Sequence, residues 1–183
     1  MKKIIAVMIL AGISLTACKK EKKVEQPPVP TNEEELITTF KITFSEENNP
    51  SSLITVVFRD LDGPGGNPPQ TFDEIHLKTN TVYNAKIELL NESGAVAEDI
   101  THEIEEEARD HLFCFTPNNL NVTIDRTDSD GVYGIGLKSM WSTGAASSGT
   151  IMISLKHQPG IKNGHCDVGD TDIELNFNTT IAD

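Results

Sequence analysis

Apolar and polar residues alternate along most of the chain from Leu36 onward, and this period of two constrains the fold more than any other feature. The clearest segments are Phe40–Phe44, Ile54–Phe58, Tyr83–Leu89, Leu120–Ile124, Ile151–Leu155 and Ile173–Phe177, with weaker ones near Phe72–Leu77, Leu112–Phe115 and Tyr133–Met140. Such alternation is typical of antiparallel strands with one face on a core and the other in solvent. Because turns rich in Gly, Pro and Asn separate the segments, the sequence predicts an all-β fold, an immunoglobulin-like antiparallel β-sandwich.

One segment departs from this period. From Asp99 to Asp110, the apolar residues Ile100, Ile104 and Ala108 recur every fourth position among glutamates. This spacing predicts one short amphipathic α-helix, and glutamates in its early turns favour the helix dipole. We expect the helix to cap one edge or end of the sandwich.

The N-terminus has the features of a bacterial lipoprotein signal. Lys2 and Lys3 precede the apolar run Ile4–Leu15, and small residues then lead to Cys18. The run is too short for a transmembrane helix, which needs about 20 residues. Residues 1–17 are therefore predicted to be a signal peptide, cleaved before Cys18, whose sulfur would carry the lipid anchor.

The rest of the chain divides into a tether and a domain. Residues 18–35 are rich in Lys, then in Pro, then in Glu, which predicts a flexible tether, and residues 36–183 form the predicted single sandwich domain. The chain carries a formal charge of −13, and removal of the leader makes it more negative. This charge disfavours nucleic acid as a partner and favours cations.

Several side chains suggest a metal site. Glu103, Glu107 and His111 follow one another at four-residue intervals, and His102 and Glu106 form a second pair at the same spacing. Rows of this kind can bind Zn²⁺ or Cu²⁺ loosely, although they are also common on solvated helices. His102-Glu103 begins like the helix of zinc proteases, but the second histidine that such a site needs is replaced by a glutamate.

The cysteines and the other histidines allow two interpretations. His111, Cys114, His157 and His165 would form a mixed nitrogen and sulfur site suited to zinc or copper if they converge. Alternatively, Cys114 and Cys166 form a disulfide, which an oxidising envelope compartment permits, and the histidines beside them are incidental.

Two acidic turns resemble incomplete calcium loops. The first contains Asp60 and Asp62, and the second contains Asp128 and Asp130, each followed by a glycine. Calcium prefers several carboxylate and carbonyl oxygens at such spacing, but neither turn supplies a full set. Turns closed by aspartate side chains are the competing interpretation.

The sequence also resembles a known family. The stretches that carry the resemblance are Asn32–Thr39, Asp60–Gly63, Asn80–Tyr83, Ile100–His111, His157–Gly160 and Gly169–Glu174. Together with the lipoprotein signal and the Pro-rich spacer, they look like small lipoproteins of the Bacteroidota, especially of flavobacteria. Similar sequences are sometimes labelled type 1 periplasmic-binding-fold proteins, but this chain is too short and too strand-patterned for two α/β lobes. The resemblance implies an outer-membrane lipoprotein, often working beside a TonB-dependent transporter.

Three functional hypotheses follow. The first is a non-enzymatic module, anchored in the outer membrane on its periplasmic or surface face, that binds a ligand or a divalent metal ion (Zn, Cu or Ca). The second is a structural or protein-interaction lipoprotein without a small ligand. The third is a hydrolase with an unrecognised site. Since no nucleophile elbow, phosphate loop or Cys-x-x-Cys pair occurs in the sequence, we expect that the protein is not an enzyme.

Replacement of Cys18 by Ala tests the lipid anchor. The sulfur is the proposed acylation site, so Cys18→Ala is expected to release an unacylated protein into the aqueous phase of a detergent partition. Recovery of the variant in the detergent phase would contradict the prediction.

Overall fold

The computed structural model describes residues 35–63 and 65–183. All of the described residues belong to one compact unit, Asn32–Asp183, which is called the sandwich unit below. The predicted signal peptide, Cys18 and all of the tether before Glu35 lie outside the described residues. Every element named below belongs to the sandwich unit, which contains its own hydrophobic core and is therefore expected to fold by itself.

Eleven strands and one helix make up the described part of the chain. They are β1 (Thr39–Glu46), β2 (Asn49–Arg59), β3 (Thr71–Phe72), β4 (Ile75–Leu77), β5 (Val82–Asn91), β6 (Glu98–Asp99), α1 (Ile100–Glu106), β7 (His111–Asn118), β8 (Val122–Arg126), β9 (Lys138–Thr143), β10 (Ser147–His157) and β11 (Asp170–Ile181). Within the described ranges, no helix has the length and apolar character needed to cross a bilayer.

The strands form two sheets that face one another. The first has the order β3-β2-β1-β5-β9-β8, with β6 added beside β5, and the second has the order β4-β11-β10-β7. All pairings are antiparallel except that of β4 with β11. The predicted antiparallel β-sandwich with one short helix is thus confirmed.

Aromatic side chains join the two sheets. Phe40 on β1 contacts Phe177 on β11, with ring centroids 5.7 Å apart. Trp141 on β9 meets Phe115 on β7 edge to face at 5.8 Å. Trp141 also packs against Phe44 within its own sheet at 5.0 Å. Phe40, Phe44, Phe115 and Phe177 belong to the alternating segments of the sequence, so burial of one face of each strand supplies the main driving force for folding.

Helix α1 is shorter than the predicted segment. It begins after Asp99, whose side chain accepts a hydrogen bond from the N–H of His102, and it ends at Glu106. The last turn contains Glu105 and Glu106 but no basic residue. Carboxylates at the C-terminal end oppose the helix dipole, so the chain turns there instead of continuing to Asp110.

Two weak strand predictions need correction. The segment Phe72–Leu77 is split between β3 and β4, which belong to different sheets, because Asp73 turns the chain by bonding the backbone of Val57. The strand expected from Tyr133 begins only at Lys138. The preceding residues curl around Asp128, whose carboxylate accepts the N–H groups of Gly136 and Lys138.

Cys114 and Cys166 are joined by a disulfide. The bond ties β7 to the loop between β10 and β11, across 52 positions of sequence. The second of the two interpretations of these cysteines is therefore the one that the structure adopts.

The disulfide is expected to stabilise the fold by restricting the unfolded chain. For a loop of this length the chain-entropy estimate is about 4 kcal/mol. Cys114→Ala combined with Cys166→Ala is expected to lower the free energy of unfolding by about that amount, as measured by urea denaturation. Reduction of the unmodified sandwich unit should give a similar loss, while the double variant should not respond to reductant. Equal urea midpoints with and without the bond would contradict the prediction.

Candidate functional site

Two buried histidines face each other at one end of the second sheet. His111 opens β7 and His157 ends β10, and the two residues are direct cross-strand partners. Their rings are stacked, with centroids 4.5 Å apart and planes 8° from parallel. His111 is 0% exposed and His157 is 7% exposed. Both histidines lie on the side of their strands that faces the core. This position explains why two polar rings are buried inside the sandwich. They are called the histidine pair below.

The surroundings of His111 fix its protonation. Its Nδ1 lies 3.1 Å from the carbonyl oxygen of Glu107, which can only accept, so Nδ1 carries the hydrogen and Nε2 keeps its lone pair. Burial lowers the pKa of His111 to about 4. The ring is therefore neutral at neutral pH. A histidine whose other nitrogen donates to a backbone carbonyl is in the state used by metal ligands.

Neither nitrogen that faces the interior has a hydrogen-bond partner among the described residues. This holds for Nε2 of His111 and for Nδ1 of His157. A buried polar atom without a partner costs about 1–3 kcal/mol. Such atoms are informative in a folded protein because a bound ion or water often satisfies them.

Glu107 adds a carboxylate to the histidine pair. One ligand atom from each of Glu107, His111 and His157 lies within 4.8 Å of the other two. Glu107 follows α1 in the turn that leads to β7. Lys162 holds this turn by donating to the carbonyl oxygen of Ala108 over 2.7 Å. The N–H of Gln158 also binds the carbonyl of Asp110, so the turn is fixed against the end of β10.

A β-bulge brings a second carboxylate to the same place. Asp172 lies at this bulge, because the register of β11 with β10 shifts there: Ile173 pairs with Leu155, and Thr171 pairs with Lys156. Simple alternation with Ile173 would leave Asp172 on the outer face. Instead its side chain is fully buried and its Oδ2 lies 3.8 Å from Nε2 of His111. Bulges often redirect a side chain in this way next to functional sites.

Glu35 and Glu103 extend the acidic surroundings. The two carboxyl groups share a hydrogen bond, and Glu35 also senses the charges of Glu107 and Asp172. Burial together with these carboxylates raises the pKa of Glu35 to about 7. We call Glu35, Glu103, Glu107 and Asp172 the carboxylate cluster. Its surplus of negative charge creates a potential that attracts cations.

The structure brings together only half of the predicted mixed site. His111 and His157 meet, but Cys114 is bound in the disulfide and lies three positions from His111, on the opposite face of β7. His165 lies on the exposed loop after β10 and is outside the cluster found among the described residues. The four-residue set is therefore corrected to the histidine pair with carboxylates. Residues three positions apart on one strand point to opposite faces of the sheet. The sequence would therefore have excluded a shared site for His111 and Cys114 if both had been assigned to the same strand.

The second helical pair is a surface feature. Nε2 of His102 lies 3.5 Å from a carboxylate oxygen of Glu106, and each side chain is about two-thirds exposed. The pair points to solvent and is not among the clustered metal-ligand groups of the described residues.

The second of the predicted calcium turns is closed by hydrogen bonds from the protein itself. Both oxygens of Asp128 accept backbone N–H groups, and Asp130 accepts those of Val132 and Tyr133. Burial alone would raise the pKa of Asp130, but the Lys162 ammonium 2.8 Å away and these amides outweigh it and hold the pKa at about 2. These geometries are those of aspartate-closed turns.

The first turn is closed in part. Asp62 accepts two hydrogen bonds from Asn67, through its backbone N–H and its side-chain amide. Asp60 is buried, and its Oδ1 has no hydrogen-bond partner in the described part of the chain. Neither residue belongs to a described cluster of three metal-ligand groups.

Sequence reasoning missed Asp172 and Glu35 as site residues. Asp172 was missed because a β-bulge cannot be recognised from the alternation of apolar and polar residues. Glu35 was missed because it lies at the end of an acidic tether, where a side chain is normally expected to be solvated. Glu107 was visible only as part of a helical row. Its actual position depends on the early end of α1.

The fold and the cluster together define a class: an acidic β-sandwich domain with a buried histidine pair beside several carboxylates. No family model matches the chain, and neither the curated proteins nor the solved structures contain a match to it.

The raised pKa of Glu35 predicts a pH-dependent stability. Between the ordinary value of 4.5 and about 7, the folded state binds more protons at Glu35 than the unfolded state, so this contribution falls as the pH rises. The Glu35→Gln variant lacks this contribution. The titration of His111 occurs in both proteins, so it cancels when their free energies of unfolding are compared. Relative to the wild type, the variant should therefore gain on the order of 1 kcal/mol between about pH 4.5 and pH 8, after allowance for solvent screening.

Urea unfolding at the two pH values measures this difference. Glu105→Gln is the matched control, because Glu105 lies on the exposed side of α1 and outside the carboxylate cluster. If Glu35→Gln changes the free energy of unfolding by the same amount at both pH values, the pKa of Glu35 is not raised in the folded protein and the prediction is wrong.

Proposed function

We propose that the chain is a cell-envelope lipoprotein whose sandwich unit binds a divalent transition-metal ion, Zn²⁺ or Cu²⁺, between the histidine pair and the carboxylate cluster. The observation that carries this proposal is the buried Nε2 of His111, which has no hydrogen-bond partner among the described residues and lies 3.8 Å from a carboxylate oxygen of Asp172. The alternative of an interaction protein with no ligand does not account for two stacked, buried imidazoles with unpartnered nitrogens.

The distances support one shared ion. Zinc lies about 2.0–2.1 Å from nitrogen and about 2.0–2.2 Å from carboxylate oxygen, so two ligand atoms are roughly 3.4 Å apart at a tetrahedral angle and at most about 4.2 Å apart. Nε2 of His111 and Oδ2 of Asp172 are 3.8 Å apart. The exposed side chain of Glu107 can rotate inward to shorten its own separation from the two rings.

The donor set favours transition metals over calcium. Imidazole suits zinc and copper, whereas calcium takes six to eight oxygens. Copper binds such ligands more tightly than zinc in general, so availability in the envelope would decide which ion is carried.

The number of protein donors favours binding over catalysis. Two histidines and two carboxylates would supply four ligands, which is the closed arrangement of sites that hold a metal. A catalytic zinc keeps one position for water or substrate. We therefore propose a non-enzymatic role in capture or delivery of the ion.

The proposed location rests on the leader and the resemblance. The lipoprotein signal ending at Cys18, followed by the Pro-rich tether, supports attachment to the outer membrane. The resemblance to lipoproteins of the Bacteroidota supports a place beside a TonB-dependent transporter, where a metal-binding module would assist uptake.

Zinc titration of the sandwich unit by calorimetry tests the site. We expect one ion per chain with a dissociation constant of about 10 μM or lower near pH 7. His157→Gln and Glu107→Gln should each weaken binding about tenfold or more, because each removes a ligand. Glu107 is exposed, so its replacement is not expected to disturb the fold.

The remaining histidines provide the controls. His165→Gln and His102→Gln remove imidazoles outside the cluster and should leave the affinity unchanged. Absence of binding at about 1 mM Zn²⁺ and Cu²⁺, or an equal loss in the control variants, would overturn the proposal.

A further inference from the structure

A groove of about 400 Å³ lies beside the carboxylate cluster. It runs between the segment before β1, the end of β2 and the start of β11. Four carboxylates line it: Glu35, Asp60, Asp172 and Glu174. Apolar side chains, including Ile37, Phe58 and Ile173, form much of the remaining wall. No basic residue of the described chain lines this surface, which we call the acidic groove.

Asp60 is the residue that distinguishes the acidic groove from an ordinary acidic surface. It is only 8% exposed, and its Oδ1 has no hydrogen-bond partner within residues 35–63 and 65–183, while its side chain also lies within hydrogen-bond reach of the Asp62 carboxyl group. Its backbone N–H is bonded to the carbonyl of Thr38 over 2.8 Å, so the main chain holds it in place. A buried carboxylate oxygen without a donor is costly, and a cationic ligand in the groove would supply one.

The volume of the groove and its apolar side chains favour an organic cation over a metal ion. A volume of about 400 Å³ lies within the range of small-molecule pockets, about 300–1,000 Å³, and far exceeds the space of one metal ion. The ring of Phe58 and the side chains of Ile37 and Ile173 offer apolar contact that a hydrated ion does not use. An ammonium group, by contrast, donates up to three hydrogen bonds to carboxylates.

We propose that the acidic groove binds an organic cation: a molecule with an ammonium head group and a short hydrocarbon body. The head group lies against Asp60 with Glu174 at the rim, and the hydrocarbon lies along Phe58 and Ile173. Glu35 and Asp172 belong both to the groove and to the carboxylate cluster, but the proposed contacts of the organic cation, Asp60, Phe58 and Ile173, are not part of the proposed metal site.

Titration of the sandwich unit with n-hexylammonium chloride, followed by amide NMR shifts, tests the proposal. Shifts are expected at Ile37, Phe58 and Ile173, with a dissociation constant of about 1 mM or lower. Hexanoate has the same tail and the opposite charge and should not bind. Ammonium chloride lacks the tail and should bind at least about tenfold more weakly, because the buried methylenes are lost.

Variants locate the head group. Asp60→Asn keeps the shape of the side chain and is expected to weaken hexylammonium binding about tenfold or more. Should Asp60→Asn lose the dispersed amide spectrum of a folded domain, Glu174→Gln on the exposed rim replaces it and is expected to weaken binding severalfold. Asp125→Asn on β8 is the matched control, which removes one exposed carboxylate outside the groove and should have no effect.

The outcomes separate the two proposals. Loss of hexylammonium binding in Asp60→Asn, with zinc affinity unchanged, supports the acidic groove as its own site. No shifts at about 10 mM hexylammonium, equal binding of hexanoate, or equal affinities of Asp60→Asn and Asp125→Asn would overturn it. Calcium binding that depends on Asp60 without any hexylammonium response would also overturn it, in favour of an inorganic ion.

Discussion

Face-to-face packing of the two sheets is the interaction on which the rest of the molecule depends. Edge-to-face and tilted aromatic contacts, such as Trp141 with Phe115 and Phe40 with Phe177, close the space between the sheets. Because alternate residues of each strand must face this space, the direction of nearly every side chain follows from the packing. The disulfide to Cys114 then fastens the outer face of the second sheet, away from the core.

The histidine pair lies where the core-facing rows reach the ends of their strands. On β7 the row runs from Phe115 through Phe113 to His111, and on β10 it ends at His157 after Leu155. Both imidazoles are buried at this position although they are polar. This position at the margin of an apolar core lowers the pKa of His111 and leaves its Nε2 as a base. A residue whose pKa is strongly shifted by burial is a candidate for a functional site.

Negative charge is concentrated around this end of the sandwich. Glu35 is driven toward its protonated form by burial and by its carboxylate neighbours, which means that the folded chain retains electrostatic repulsion there. Repulsion among these carboxylates lowers the free energy of unfolding, and a bound cation would relieve it. The affinity for cations and the loss of stability therefore have the same physical origin. The proposed metal site and the acidic groove share this field and differ in their walls: imidazole nitrogens in one, hydrocarbon and Phe58 in the other.

The sequence by itself determined the all-β class, the core-facing residues and the helical segment, because the period of a pattern reports directly which residues share a face. It also identified His111 and His157 as candidate ligands, because imidazoles suit zinc and copper and His111 follows Glu107 at a four-residue interval. Only the tertiary structure decided that their strands are neighbours in register. It also decided that a bulge turns Asp172 inward and that α1 ends early enough to place Glu107 beside the pair. Pairing and bulges are set by contacts between distant segments, which a local pattern does not contain.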